Sequence, residues 1–262
     1  MDLDLTGRHA LVCGASEGIG RAAAHELALL GADVTVLARR AEVLAQVVAA
    51  LPTRADGQRH GWIAADMDDA ATLRAKVEAL AGGSRVHILV NNSAGPPGGP
   101  AHSAEPAAFE ATFRRHLVGG QTLLQAVLPG MREAGFGRLV NVISTSVKEP
   151  IANLGVSNTV RGAVASWAKT LAGELAPHGI TVNSVLPGFT RTGRLAAIIA
   201  GNAAAGGRSE DQVAAAMLAT VPAARFGEAQ EIAAAIAFLC TPAAAYINGV
   251  ALAVDGGRTR AL

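Results

Sequence analysis

His9-Ala10-Leu11-Val12-Cys13-Gly14-Ala15-Ser16-Glu17-Gly18-Ile19-Gly20 is the stretch whose reading decides the fold. Its first five residues form a short apolar run that reads as a buried strand. A helical pattern follows from Ile19 to Leu30, stopped by Gly31 at the position where a helix end favours glycine. Gly14, Gly18 and Gly20 stand between them. Glycine adopts backbone angles closed to other residues, and it lets the main chain approach a pyrophosphate placed on the helix N-terminus. Three glycines alone describe an ordinary tight turn equally well. It is the strand–turn–helix setting that points to a dinucleotide.

Outward from this turn, strand candidates recur at His9–Cys13, Asp33–Ala38, Gly61–Ala65, His87–Asn91, Arg138–Ser144, Ile180–Val185 and Val250–Val254, with helical patterns between them. This alternation predicts a single α/β domain over 1–262. Its core would be a doubly wound (Rossmann) parallel sheet of about seven strands with helices on both faces. Ligands bind such sheets beyond the carboxyl ends of the strands, so residues that follow strands are the site candidates. Two segments break the rhythm. Gly95-Pro96-Pro97-Gly98-Gly99-Pro100 cannot be regular structure, and the alanine- and glycine-rich Leu195 to Thr220 reads as a substrate lid, placed at about 193–220.

Half of the 262 residues are hydrophobic, enough for one large core, and alanine outweighs the few aromatics, which predicts closely packed helices. The net charge of +1 comes without a basic run, which argues against nucleic acid or an anionic membrane as partner. No charge occurs from Ala233 to Val254, a length that reaches a membrane span. Thr241-Pro242 and Asn248-Gly249 interrupt it, so it reads as helix end, loop and buried strand. The start, Met1-Asp2-Leu3-Asp4-Leu5, lacks the basic residues and apolar core of a signal peptide. Cys13 and Cys240, as two buried thiols, fit a reducing compartment, and a cytoplasmic location is expected. No metal centre is expected.

Taken together, the motifs resemble the short-chain dehydrogenase/reductase family over nearly the whole chain. Gly14-Ala15-Ser16-Glu17-Gly18-Ile19-Gly20 is similar to its cofactor turn, and Asp66-Met67 to the pair lining its adenine pocket. Asn91-Asn92-Ser93-Ala94-Gly95 resembles its Asn-Asn-Ala-Gly signature with the glycine displaced by one. Asn183 and Pro187-Gly188-Phe189-Thr190-Arg191-Thr192 resemble the segment holding the nicotinamide end, and Tyr246-Ile247-Asn248-Gly249 with Val254-Asp255-Gly256-Gly257 the C-terminal signature. The resemblance implies a nicotinamide cofactor, a small carbonyl or alcohol substrate, and a homotetramer or homodimer paired through the helix over Asn153–Pro177. Trp167 would lie at that contact or in the core. Read singly, Asp66 is equally a helix cap, Thr192 a loop hydroxyl and Asn183 a strand residue satisfying buried backbone. Arg39 and Arg40 follow the second strand, where an acidic residue would favour NAD(H) and a guanidinium pairs with a 2′-phosphate. They point to NADP(H), with NAD(H) as the open alternative and a solvated helix-start arginine as the plain reading.

The family's working set is an asparagine, a serine, and a tyrosine followed four residues later by lysine. Here Ser144 supplies the serine, but Ser157 stands where the tyrosine belongs, Arg161 where the lysine belongs and His116 where the asparagine belongs. The chain's one tyrosine, Tyr246, already fills a place in the C-terminal signature. A serine hydroxyl is a far weaker acid than a phenol. Three other donors are therefore candidates: water, His116 as an imidazolium near neutral pH, and Lys148 with its pKa lowered by burial. The plain alternatives are a space-filling histidine and a surface lysine paired with Glu149. Ser144, Thr145 and Ser146 form a hydroxyl cluster suited to a substrate oxygen. The expectation is an NADP(H)-dependent oxidoreductase acting on a ketone or secondary alcohol with an atypical catalytic set. The alternatives are a nucleotide-binding sensor or scaffold with little redox activity, or a lyase or isomerase on the same fold.

Overall fold

A computed structural model describes residues 1–54 and 56–261; Ala55 and Leu262, inside the expected 1–262 domain, lie outside the described residues. Seven parallel strands form one sheet: β1 (His9–Cys13), β2 (Asp33–Ala38), β3 (His60–Ala64), β4 (Ile88–Asn91), β5 (Gly137–Val142), β6 (Ile180–Pro187) and β7 (Ala251–Val254). Their spatial order is β3-β2-β1-β4-β5-β6-β7. The chain runs outward from β1 to β3, then returns to pair β4 with β1 and continues the other way. That reversal opens a crevice at the carboxyl ends of β1 and β4.

The sheet is covered on both faces because its strands carry apolar residues at successive positions. Strand side chains alternate between faces. Ala10, Val12, Val34, Val36, Ile88 and Val90 therefore join one core, while Leu11, Cys13, Leu37 and Leu89 join the other. Helices α1 (Gly18–Leu29) and α9 (Ala229–Cys240) meet on the first face through Ala22, Ala23, Ala24, Ala233 and Ala237, small residues that allow close approach. Leu27 is fully buried there. Its burial contributes about 1.5–3 kcal/mol, and Leu27→Ala would cost about 2–5 kcal/mol. The remaining helices are α2 (Ala41–Ala49), α3 (Ala70–Gly83), α4 (Pro106–Phe113), α5 (Gly119–Ala134), α6 (Gly155–Leu175), α7 (Gly193–Gly206) and α8 (Glu210–Leu218). Between α4 and α5 the backbone stays helical but widens into a π turn, Arg114–Val118.

Several boundaries differ from the sequence reading. Helix α1 begins at Gly18 and ends at Leu29, with Leu30 as its cap and Gly31 following at φ +95°. The third strand starts one residue earlier, and the last is an edge rather than a buried strand, with Ala251 and Leu252 exposed. An edge strand has a neighbour on one side only, so hydropathy misreads it. The charge-free stretch becomes the end of α9, a short 3-10 turn at Pro242–Ala244 and β7. Among the described residues no helix is long and apolar enough to cross a membrane. The alanine-rich insertion is the helix pair α7–α8, which buries only Leu195, Ala203 and Val213. Cys13 and Cys240 are free and buried, and burial pushes both thiols up to about 12, leaving them unreactive.

Candidate active site

The carboxyl ends of β1 to β6 surround a cavity of about 450 Å³. The glycine turn after β1 forms one wall. Gly14 and Gly18 have φ of +59° and +56°, the left-handed region that favours glycine. A Cβ at Gly14 would lie 2.7 Å from Asn92, and one at Gly18 would lie 3.2 Å from Thr192. Gly14, Ser16, Glu17, Gly18 and Ile19 line the cavity. Gly20 does not. It lets α1 pack on the turn, since a Cβ there would fall 2.3 Å from the Gly14 carbonyl oxygen. Asn92 Nδ2 donates to the carbonyls of Cys13 and Gly14, both at 3.3 Å, tying the end of β4 to this turn.

Arg39 and Arg40 lie in the wall beyond β2, and both are exposed. Arg40 pairs with Glu17 at 3.7 Å; Arg39 makes no ion pair among the described residues. Asp66 and Met67 line the next section. Asp66 is not a helix cap: it accepts from the Asp68 amide, and the cap of α3 is Asp69. Arg115, which sequence reasoning missed, also lines the cavity and binds Asp68 Oδ2 through Nη2 and Nε at 2.5 and 3.1 Å. No short motif announces it; only the π turn brings it there. Beyond β6, Pro187, Gly188, Phe189, Thr190 and Thr192 complete the wall. Thr192 caps α7, and Thr190 is buried. Asn183 is not part of the site. Its side chain bonds the backbone of Ile247 and Val250, satisfying buried main chain.

Ser93, Ala94, Ser144, Ser157 and Arg161 meet in the same cavity. The Ser144 hydroxyl accepts from the Ser146 amide at 3.1 Å, which fixes it at the end of β5. Ser157 and Arg161 lie one turn apart on α6. Arg161 is buried. Its Nη1 donates to the Val142 carbonyl at 2.8 Å and its Nη2 to the Ser93 carbonyl at 3.5 Å, while Nε has no partner. Burial and the neighbouring charge of Arg194 push its pKa down to about 10, so it stays cationic at neutral pH.

His116 corrects the expectation of an imidazolium acid. It sits in the π turn, buried behind Ser93, with Nδ1 2.6 Å from Ser93 Oγ and Nε2 unpartnered. Burial, with the Arg161 and Arg115 charges beside it, pushes its pKa down to about 2, so the ring is neutral. It does not line the cavity, and neither does Lys148. Lys148 follows the turn Thr145–Val147, and its expected partner Glu149 instead accepts from the Arg260 and Ala261 amides. Tyr246 follows the turn Pro242–Ala244, is fully exposed and does not line the cavity. Of the expected lid, α7 supplies Gly193, Arg194, Leu195 and Ile198 to the wall; α8 packs on α7 without reaching the cavity. Trp167 sits at the core margin, its Nε1 donating to Gln121.

A parallel α/β sheet with a glycine turn, a cationic pair after β2 and hydroxyls at the switch point defines a dinucleotide-binding enzyme fold. Comparison with known proteins identifies which one. A family model described as enoyl-(acyl carrier protein) reductase matches residues 14–259. Cyclohexanol dehydrogenase of Rhodococcus sp. (strain TK6) is 34% identical over 280 residues, covering 98% of each chain. The NADPH-dependent reductase BacG of Bacillus subtilis (strain 168) is 30% identical over 268 residues, covering 98% of this chain and 100% of that one. The structure of L-sorbose reductase from Gluconobacter frateurii, complexed with NADPH and L-sorbose, has a TM-score of 0.92 at 27% identity and covers 100% of both chains. The chain belongs to the short-chain dehydrogenase/reductase family of NAD(P)-dependent oxidoreductases.

Proposed function

We propose that this protein is an NADP(H)-dependent oxidoreductase interconverting a ketone and a secondary alcohol. The observation that carries the reading is the single cavity holding the glycine turn, Arg39 and Arg40, and Ser144 with Ser157 and Arg161. The wall fits a dinucleotide on its own geometry. Gly14 and Gly18 present bare backbone to the cavity, and Arg39 makes no ion pair among the described residues. The turn from Gly14 to Gly20 would receive the pyrophosphate, Arg39 a 2′-phosphate, and Asp66 and Met67 the adenine. Asn92, Ser93, Ala94, Pro187, Gly188, Thr190 and Thr192 would hold the nicotinamide end, and Arg161 its ribose. The bound cofactor supplies or accepts the hydride.

Ser144 would hold the substrate oxygen by hydrogen bonding. The fixed positive charge of Arg161 in a buried setting lowers the cost of negative charge on that oxygen. Ser157 would orient the substrate or a water, and water would deliver the proton, since His116 is neutral and Lys148 stands outside the cavity. A positioned acid contributes about 10²–10⁴ in rate, so this set predicts slower turnover than a phenol would give. Subunit pairing through α6 is part of the same reading, supported by the exposed small residues Thr159, Ser166 and Gly173 along it. The two buried free thiols support a cytoplasmic location. Closure of α7 over the cavity is supported by its light packing.

The test is NADPH absorbance followed with a panel of ketones, and NADP+ with the matching alcohols, alongside a fluorescence titration of NADPH binding. Turnover in either direction supports the proposal. Tight NADPH binding with no turnover overturns it in favour of a nucleotide-binding sensor or scaffold. The lost tyrosine and lysine favour that second reading.

A further inference from the structure

We infer that Arg161 and Arg194 form a carboxylate-binding subsite at the substrate end of the cavity, so that the substrate is a small oxo acid or hydroxy acid. This inference rests on the cavity being the substrate site proposed above. The two guanidinium groups come from different elements, α6 and the start of α7, and converge on Gly95. A Cβ built there would lie 3.5 Å from Arg194 Nη2 and 3.8 Å from Arg161 Nη2.

Neither arginine forms an ion pair among the described residues. Their partners are neutral carbonyls: Val142 and Ser93 for Arg161, and Pro96, at 2.5 Å, for Arg194. Elsewhere in the wall Arg40 is offset by Glu17 and Arg115 by Asp68, while Arg39 is exposed to solvent. Arg161 is only 7% exposed and keeps an unpartnered Nε. A buried charge such as that of Arg161 is unfavourable without a counter-charge, and the exposed Arg194 guanidinium beside it adds repulsion. An anion seated between them removes both costs. The ribose hydroxyls expected at Arg161 are neutral and leave its charge uncompensated. Leu195 and Ile198 of α7 line the adjoining wall, so the body of the molecule carrying the carboxylate would be apolar.

Ligand-observed NMR titration of isobutyrate and isobutyramide tests this, with and without saturating NADP+, in wild type, Arg194→Leu and Arg194→Lys. NADPH affinity of each protein is measured by fluorescence. Isobutyrate should bind at least about tenfold more tightly than isobutyramide. Arg194→Leu should reduce that preference to within about twofold, and Arg194→Lys should retain part of it, with NADPH affinity unchanged to about twofold. Equal binding of acid and amide in wild type overturns the inference. So does an Arg194→Leu variant that loses NADPH affinity, because the arginine then serves the cofactor's phosphates. If NADPH binds to none of the proteins, the proposed cofactor fails. The acid preference of nucleotide-free protein, and its loss in Arg194→Leu, still decides the subsite.

Discussion

Lowering the pH from 7.5 to 5 should cost the wild-type fold about 2 kcal/mol that a His116→Asn variant keeps. His116 titrates near 6.5 when unfolded and near 2 in the folded protein. Between those values the unfolded chain binds the proton and the native state does not, so stability rises with pH. The contribution is whole above pH 6.5 and drains as the pH falls toward 2. From pH 6.5 to pH 5 is about 1.5 pH units at 1.36 kcal/mol each, which gives about 2 kcal/mol. Asparagine removes the titration, whatever it costs in packing at every pH. His87, held down to about 4 by burial and by the Arg8 and Arg85 charges, contributes the same way in both proteins and cancels. Urea unfolding of both proteins at pH 7.5, 6 and 5 measures the difference. Parallel stability curves would show that His116 protonates in place, and the argument against it as an acid would collapse.

NADPH should bind more tightly than NADH by roughly 10- to 100-fold, the scale of one charge-assisted bond. Arg39→Ala should erase most of that, since Arg40 is engaged with Glu17; equal wild-type affinities by fluorescence titration would sink the assignment. Gly18→Val should retain the circular dichroism of the fold but lose NADPH binding, because a branched side chain at φ +56° projects toward Thr192. Ser157→Tyr with Arg161→Lys should reduce simple ketones faster than wild type, by up to ~10²–10⁴, with smaller gains in the single variants. A folded but inactive double variant, measured by NADPH oxidation, would show that the native site depends on the arginine itself.

The sheet was legible because each central strand carries apolar residues on both faces, and the glycine turn because its spacing demands an unusual backbone. The cavity wall followed from strand ends and from the family's motifs, apart from Gly20, which packs one layer behind it. What the chain could not display were contacts set by helix rotation. Arg115 and Arg194 reach the cavity through a π turn and a helix start, and neither lies in a recognisable motif. His116 and Lys148 look alike as titratable residues near strand ends, yet one is buried behind Ser93 and the other lies outside the cavity. Spacing along the chain does not separate those fates; burial does.

The π turn at Arg114–Val118 also gives this helix a spare residue. A π turn holds one residue more than an α turn. It is the place where this chain could lose a residue and still run as a continuous helix. Helix α5 is locked in the core by Leu123, Leu124, Val127 and Met131 and would keep its place. Deleting one residue from the bulge would return it to α geometry and leave the flanking helices in phase. Within the shortened turn Arg115 and the imidazole would change direction, so one missing codon would release Asp68 and Ser93 from their partners while the helix stayed intact.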